Sequence, residues 1–369
     1  MTTLNETMTS RERLLAALDM KTVDRLPFWP KLGGSYQPMQ TGRFAEMDNP
    51  AVHRYVGSDG LNWIPRCFKV VRGNSSFESR NADDNTRQLI FKTNGNELES
   101  TLSFDPASRS WHPMTFPVKT REDISILAEY WRDIRIEPDE DALEEANARI
   151  TADRDAGIWT DGIGESPLMY FVEHLAGIVN AHYFLVDCPD EVEDLFDAIH
   201  SELLRKAEIV ADKSPADGTY LTENTSTTLI SPEQYAKYCY HHIKAYGSII
   251  EGAGKRVILH MCGHLKGLLD QLNELPVHAF EAFTSPTLGN TTLLDGRSGC
   301  PNTCLIGGTN ATLWLEPADK IIAQVEKDLD ALPHHRGIVV TSAGVMPPYA
   351  DPDRIKTVCE WVKSYPVKN

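Results

Sequence analysis

Short apolar runs alternate along this chain with strongly marked helix starts, and that rhythm limits the available folds more than any other feature. The runs are Gly157-Ile-Trp-Thr-Asp161, Thr219-Tyr-Leu-Thr-Glu223, Val257-Ile-Leu-His260, Val277-His-Ala-Phe-Glu-Ala-Phe283, Cys304-Leu-Ile-Gly-Gly308 and Gly337-Ile-Val-Val-Thr341. The helix starts carry their own signals. Thr9-Ser-Arg-Glu12 is a capping box ahead of Leu14, Leu15 and Leu18, and Ser231-Pro-Glu-Gln234 repeats it with proline at the first helical position. Asp351-Pro352 and Cys188-Pro189 open further helices, the latter burying Val192, Leu195 and Phe196. Strands separated by helical crossovers lie parallel, and the number of units favours closure over an open sheet. The expected fold is α/β, a (β/α)8 TIM barrel with an N-terminal helical segment. At 369 residues it fits one barrel domain spanning 1–369.

The stretch from about 70 to 117 breaks the rhythm. Turn clusters at Arg72-Gly-Asn-Ser-Ser and Asn81-Ala-Asp-Asp-Asn85, with Asn94-Gly95 between Leu89-Ile-Phe91 and Leu98-Glu-Ser-Thr-Leu102, predict an inserted antiparallel hairpin region. Such an insertion suits a lid or a partner surface.

Composition removes several function classes. A net charge of -17 without a cluster of Lys and Arg argues against nucleic acid, whose phosphates demand one. No apolar stretch is long enough to span a bilayer, and the start lacks a basic and apolar leader, so a cytoplasmic enzyme without membrane contact is expected. Seven scattered cysteines fit reduced thiols better than a disulfide framework. No Gly-x-Gly-x-x-Gly or Walker loop opens a helix, which weakens nucleotide readings. Self-association into a homo-oligomer stays open.

In a barrel of this kind the chemistry gathers at the carboxyl ends of the strands. The last polar residues of the runs are Asp161 and Glu165, Glu223 and Asn224, His260 and Cys262, Glu281, Thr309 and Asn310, and Thr341 and Ser342. His260 and Cys262 stand two apart in Arg256-Val-Ile-Leu-His-Met-Cys-Gly-His264 and should point to one side. Imidazole and thiolate are preferred zinc ligands, and Glu223 or Glu281 could complete a tetrahedral site with one position open; both glutamates are also the candidate catalytic carboxylates. The plainer alternative is a packed histidine and an inert cysteine. Cys300 and Cys304 fall at the amino end of their strand and are set aside, His264 reads as solvated, and His241-His242 and His334-His335 read as surface features.

Arg11-Glu-Arg-Leu-Leu-Ala-Ala-Leu18, Asp24-Arg-Leu-Pro-Phe28, Leu229-Ile-Ser-Pro-Glu-Gln-Tyr235 and Val257-Ile-Leu-His-Met-Cys-Gly263 together resemble the uroporphyrinogen decarboxylase superfamily, over nearly the whole chain. That resemblance implies a (β/α)8 barrel and one of two activities. True decarboxylases hold their substrate's carboxylates with an Arg-Gln-Ala-Gly-Arg-Tyr motif, which corresponds here to Lys31-Leu-Gly-Gly-Ser-Tyr36 with both arginines replaced. A lysine does not reproduce bidentate carboxylate recognition. The family's catalytic aspartate is also missing from Leu61-Asn-Trp-Ile-Pro-Arg-Cys67.

The zinc- and corrinoid-dependent methyltransferase branch is more similar, through its His-x-Cys. Its distant third cysteine corresponds to Ala343, so a carboxylate, Glu281 or Glu223, is expected to complete the metal site. The resemblance therefore implies methyl transfer between a small methyl donor or thiol acceptor and a corrinoid protein. No Asp-x-His-x-x-Gly signature occurs, which places the cobalamin on a separate protein. Lys31, Tyr36, Asp161, Asn224, Asn310 and Ser342 are the candidate substrate contacts. The rival readings are a decarboxylase or lyase acting on a small carboxylate or porphyrinogen-like substrate, with Lys31 as anion anchor, and a non-catalytic ligand-binding barrel.

Overall fold

The computed structural model describes residues 6–369. Its strands are β1 (Leu61–Trp63), β2 (Phe68–Arg72), β3 (Ser76–Asn81), β4 (Thr86–Thr93), β5 (Asn96–Asp105), β6 (Ser110–Thr115), β7 (Ile134–Pro138), β8 (Ile158–Gly164), β9 (Gly218–Thr222), β10 (Arg256–His260), β11 (Ala279–Phe283), β12 (Cys304–Gly307) and β13 (Ile338–Val340). All six apolar runs are strands. They join β1 in one parallel sheet in the order β1-β8-β9-β10-β11-β12-β13, curled into a half-barrel with helices on its outer face.

The full (β/α)8 cylinder expected from the rhythm is not what the hydrogen-bonded sheet shows: among the described residues it has seven strands. The gap between β13 and β1 is crossed by Pro27–Trp29. Trp29 N donates to Val340 O at 2.9 Å, Val340 N to Pro27 O at 3.0 Å, and Asp59 N to Phe28 O at 2.8 Å. Only one bridge, Phe28 with Val340, forms there, too short for a ladder. A buried carboxylate holds the segment instead. Asp59 accepts from Phe28 N at 3.0 Å, from Arg13 Nη1 at 2.7 Å and from Arg25 Nη1 at 2.8 Å.

Side chains alternate across each strand, so the sheet has two apolar layers. The inner layer contains Leu61, Ile158, Tyr220, Ile258, Ala279, Ile306 and Val339, covered at the amino end by Leu14, Ala17 and Leu18 of the helix Ser10–Leu18. Thr9 and Glu12 form the capping box that starts this helix. Each buried leucine contributes roughly 1.5–3 kcal/mol. The outer layer joins Leu221, Val257, Leu259, Phe280 and Leu305 to the surrounding helices, including Pro189–Lys213 and Pro352–Ser364.

Between β1 and β8 the chain leaves the sheet. Strands β3 to β6 form an antiparallel meander, and β2 pairs with β7. Asn94 and Gly95 both take positive φ in the two-residue turn between β4 and β5, the geometry that favours Asn-Gly.

Candidate active site

Parallel registry sets the centre of the site. His260, at the end of β10, is level with Thr222 on β9 and Glu281 on β11. The same parity brings Tyr220 inward from β9, two residues before Thr222. Glu281 is fully buried and collects three partners. Lys31 Nζ donates to Oε1 at 3.0 Å, while the Tyr220 hydroxyl and His260 Nδ1 both hydrogen-bond Oε2. The Tyr220 hydroxyl Oη lies 3.2 Å from His260 Nδ1. Burial raises the carboxyl pKa of Glu281, and the Lys31 ammonium draws it back. Burial, with the Lys31 charge adding to it, pushes His260 down to about 3, so the imidazole is neutral. Its Nδ1 is engaged, and among the described residues Nε2 has no hydrogen-bond partner.

Cys262 lies just beyond β10 and is the one exposed cysteine of the seven. Its thiol donates to Asn224 Oδ1 at 3.6 Å, and Asn224 Nδ2 donates to Glu173 Oε2 at 3.1 Å. Asn224 holds this bridging position with φ at 50°, a left-handed conformation that asparagine tolerates better than most residues. The surrounding protein raises the Cys262 thiol pKa through desolvation, opposed by Lys31. Desolvation, aided by Glu165, also raises Glu173 to about 7.

The structure thus brings Lys31, His260, Glu281, Asn224 and Cys262 to one mouth, but not every expected residue. Asp161 and Glu223 belong to the opposite parity of β8 and its neighbour β9, so both face the outer layer. Asp161 is buried near Ser214, Thr219 and Lys255, and burial raises its pKa. Glu223 is 1% exposed and accepts from Ser166 N at 2.9 Å and Ser166 Oγ at 2.6 Å; burial pushes it up to about 8. Tyr36 is fully buried and donates to Ala350 O at 3.0 Å. Asn310 caps a short helical turn and donates to Pro286 O at 2.8 Å, and the Ser342 hydroxyl donates to Gly344 O at 2.6 Å. These last three fix loops. Nor do His242 and His335 lie on the surface, since both are buried.

The metal donors need a similar correction. The three donors expected at the zinc, His260, Cys262 and Glu281, do not gather as a close triad. Among the described residues, the one group of three such side chains whose ligand atoms all lie within 4.8 Å is Glu165, Glu173 and His174. Glu281 is occupied by Lys31, Tyr220 and His260 Nδ1, so it orients the imidazole. Lys31, committed to that carboxylate, does not stand free as an anion anchor.

Sequence reasoning missed Tyr220, Glu173 and His174. Inward parity from His260 across the sheet could have found Tyr220. Glu173 and His174 sit in a wide helical turn, Phe171–Leu175, after β8, where no strand pattern points.

The fold has known counterparts. A methyltransferase from Methanosarcina mazei superposes with a TM-score of 0.60 over 97% of this chain and 98% of that one, at 16% sequence identity. A B12-independent methionine synthase from Shewanella sp. W3-18-1, in complex with selenomethionine, does so with a TM-score of 0.51 over 92% and 97%, at 10% identity. At such identities the likeness is one of fold. No curated protein sequence matches the chain. The uroporphyrinogen decarboxylase (URO-D) family pattern matches residues 162–365, more than half of the chain, which therefore belongs to that family.

Proposed function

We propose that the protein is a methyltransferase that moves a methyl group between a small substrate or thiol and a separate corrinoid protein, at a zinc site formed by His260 and Cys262. The observation that carries this reading is the placement of His260: its imidazole is held through Nδ1 by Glu281, with Nε2 unpartnered among the described residues and the exposed Cys262 thiol two residues on. A carboxylate behind the other ring nitrogen is the usual support of a metal-bound histidine. Membership of the family, and a fold shared with a methyltransferase and a methionine synthase, support the same class of chemistry.

The donor types fit zinc, with one change from the expectation. His260 Nε2 and Cys262 Sγ would hold it and Glu281 would stand behind the histidine, while Ala343 offers no donor. Zinc there would keep a bound thiol ionised at neutral pH. The chain's own residues do the rest. Glu281 sets the histidine tautomer, Lys31 balances the buried carboxylate, and Asn224 places the Cys262 sulfur with Glu173 behind it. The reading takes 1–369 as one cytoplasmic barrel domain closed across Pro27–Trp29, with cobalamin presented to the mouth by the partner.

Metal analysis of the purified protein tests it. Roughly one zinc per chain is expected, lost in His260→Ala and Cys262→Ala. A folded, metal-free protein whose activity ignores both substitutions would overturn the reading. Methylcobalamin offered with a panel of thiols checks the chemistry: demethylation in the zinc-loaded protein is expected, and its absence with every acceptor favours a non-catalytic barrel.

A further inference from the structure

A cavity of about 290 Å³ opens beneath the antiparallel meander. Its lining includes Phe77 from β3, Phe91 from β4 and Tyr130 from the helix Arg121–Arg132, with Arg66, Arg72 and Lys206 around them. Phe77 is 41% exposed and its ring centroid lies 5.2 Å from that of Phe91, so an aromatic surface faces the space.

Of the three basic residues at the cavity, Lys206 is paired with a carboxylate and the two arginines are not, among the described residues. Of the cavity's carboxylates, Glu202 pairs with Lys206 at 2.7 Å and accepts from Trp131 Nε1 at 2.8 Å, whereas Glu165, 3.3 Å from His174 Nε2, keeps a buried Oε2 that makes no hydrogen bond among the described residues. Arg66 and Arg72 have no carboxylate partner among the described residues. Arg72 is held in place, donating from Nε to the Tyr130 hydroxyl at 3.1 Å with its guanidinium 5.5 Å from that ring's centroid. Its two terminal nitrogens, the pair that grips a carboxylate bidentately, have no hydrogen-bond partner among the described residues.

We infer that this cavity is a binding site for a small aromatic carboxylate, its ring against Phe77 and Phe91 and its anion on Arg72 and Arg66. The volume is at the small end for ligand pockets and suits a single ring. The inference does not depend on zinc or on methyl transfer, because binding is measured directly on the unmodified protein.

Benzoate is the probe, titrated by calorimetry and by fluorescence of Trp131, which lines the cavity. Acetate, benzyl alcohol and benzamidine test the anion alone, the neutral ring and the reversed charge. Benzoate should bind at least about tenfold more tightly than any of them, and Arg72→Ala or Arg66→Ala should weaken it about tenfold or more. Arg72→Lys keeps the charge, yet it should also weaken binding, because a point charge replaces the fork. Arg135→Ala, in the neighbouring groove, should change nothing. If Arg72→Ala fails to fold, Arg66→Ala and Arg72→Lys decide. The inference falls if millimolar benzoate does not bind, if acetate or benzyl alcohol binds as well, or if folded arginine variants keep full affinity.

Discussion

His260 and Glu281 occupy one level of neighbouring strands β10 and β11, and the carboxylate of one fixes the imidazole of the other through Nδ1. Because Oε2 is shared with Tyr220 and Oε1 is taken by Lys31, the histidine has little freedom to turn. The histidine is thereby preorganised before any ligand arrives.

Replacing Glu281 separates orientation from stability. In Glu281→Gln the charge that sets the tautomer is lost, and zinc affinity should fall roughly 10–100-fold, as when other metal-supporting carboxylates are removed. Glu281→Ala also strands Lys31 and should cost about 3 kcal/mol in urea denaturation. The double variant Lys31→Met with Glu281→Leu should recover most of that loss while abolishing metal binding.

Glu223 makes stability depend on pH. Its folded pKa is about 8 against an ordinary 4.5, because burial opposes the charge. Between those values the native state holds a proton that the unfolded chain releases, so this group's contribution is complete below 4.5 and is lost as pH rises through about 8. The slope approaches at most about 1.4 kcal/mol per pH unit. Unfolding measured across that window should show it, and Glu223→Gln should flatten it. Infrared spectra at pH 7 should contain a protonated carboxylic acid band that the variant lacks.

Cys262 should be the one rapidly reacting thiol. The other six cysteines are buried, and burial pushes Cys300, Cys304 and Cys359 up to about 12. With a thiol-specific disulfide reagent the native protein should release one fast equivalent, absent in Cys262→Ala. The raised thiol pKa means the rate should climb with pH through the alkaline range. Added zinc should protect the thiol if His260 and Cys262 hold it.

Asp59 tests the joint between the two ends of the sheet. It is fully buried and partnered by Arg13, Arg25 and the Phe28 amide. Asp59→Ala leaves two buried guanidinium groups short of a partner and should destabilise the fold by about 3–5 kcal/mol. A melting temperature unchanged within error would show that this network does not hold the joint.

Much of the fold was legible because local chemistry and tertiary structure agree. Thr9 with Glu12, Ser231 with Gln234, and Asn94 with Gly95 each form the motif that their spacing announces. The site was less legible for a specific reason. Taking the last polar residue of each run ignores the two-residue period, and so assigns Asp161 and Glu223 to a face they do not share with His260. Had parity been carried from His260 through Thr222 to Tyr220, the phenol would have replaced Glu223. Lys31 and Glu281 lie on segments far apart in sequence, and no local pattern reports their pairing. Tyr36, Asn310 and Ser342 turn back onto loop carbonyls, a choice settled by tertiary packing alone.

The single bridge between Phe28 and Val340 also bears on the order of assembly. These residues stand near opposite ends of the chain, so their meeting carries the largest loop-closure cost in the sheet, and neighbouring ladders can form without it. The joint should be a late event in folding. Substitutions such as Phe28→Ala would then accelerate unfolding while leaving the refolding rate nearly unchanged, making this seam a place to adjust the lifetime of the native state rather than the speed at which it is reached.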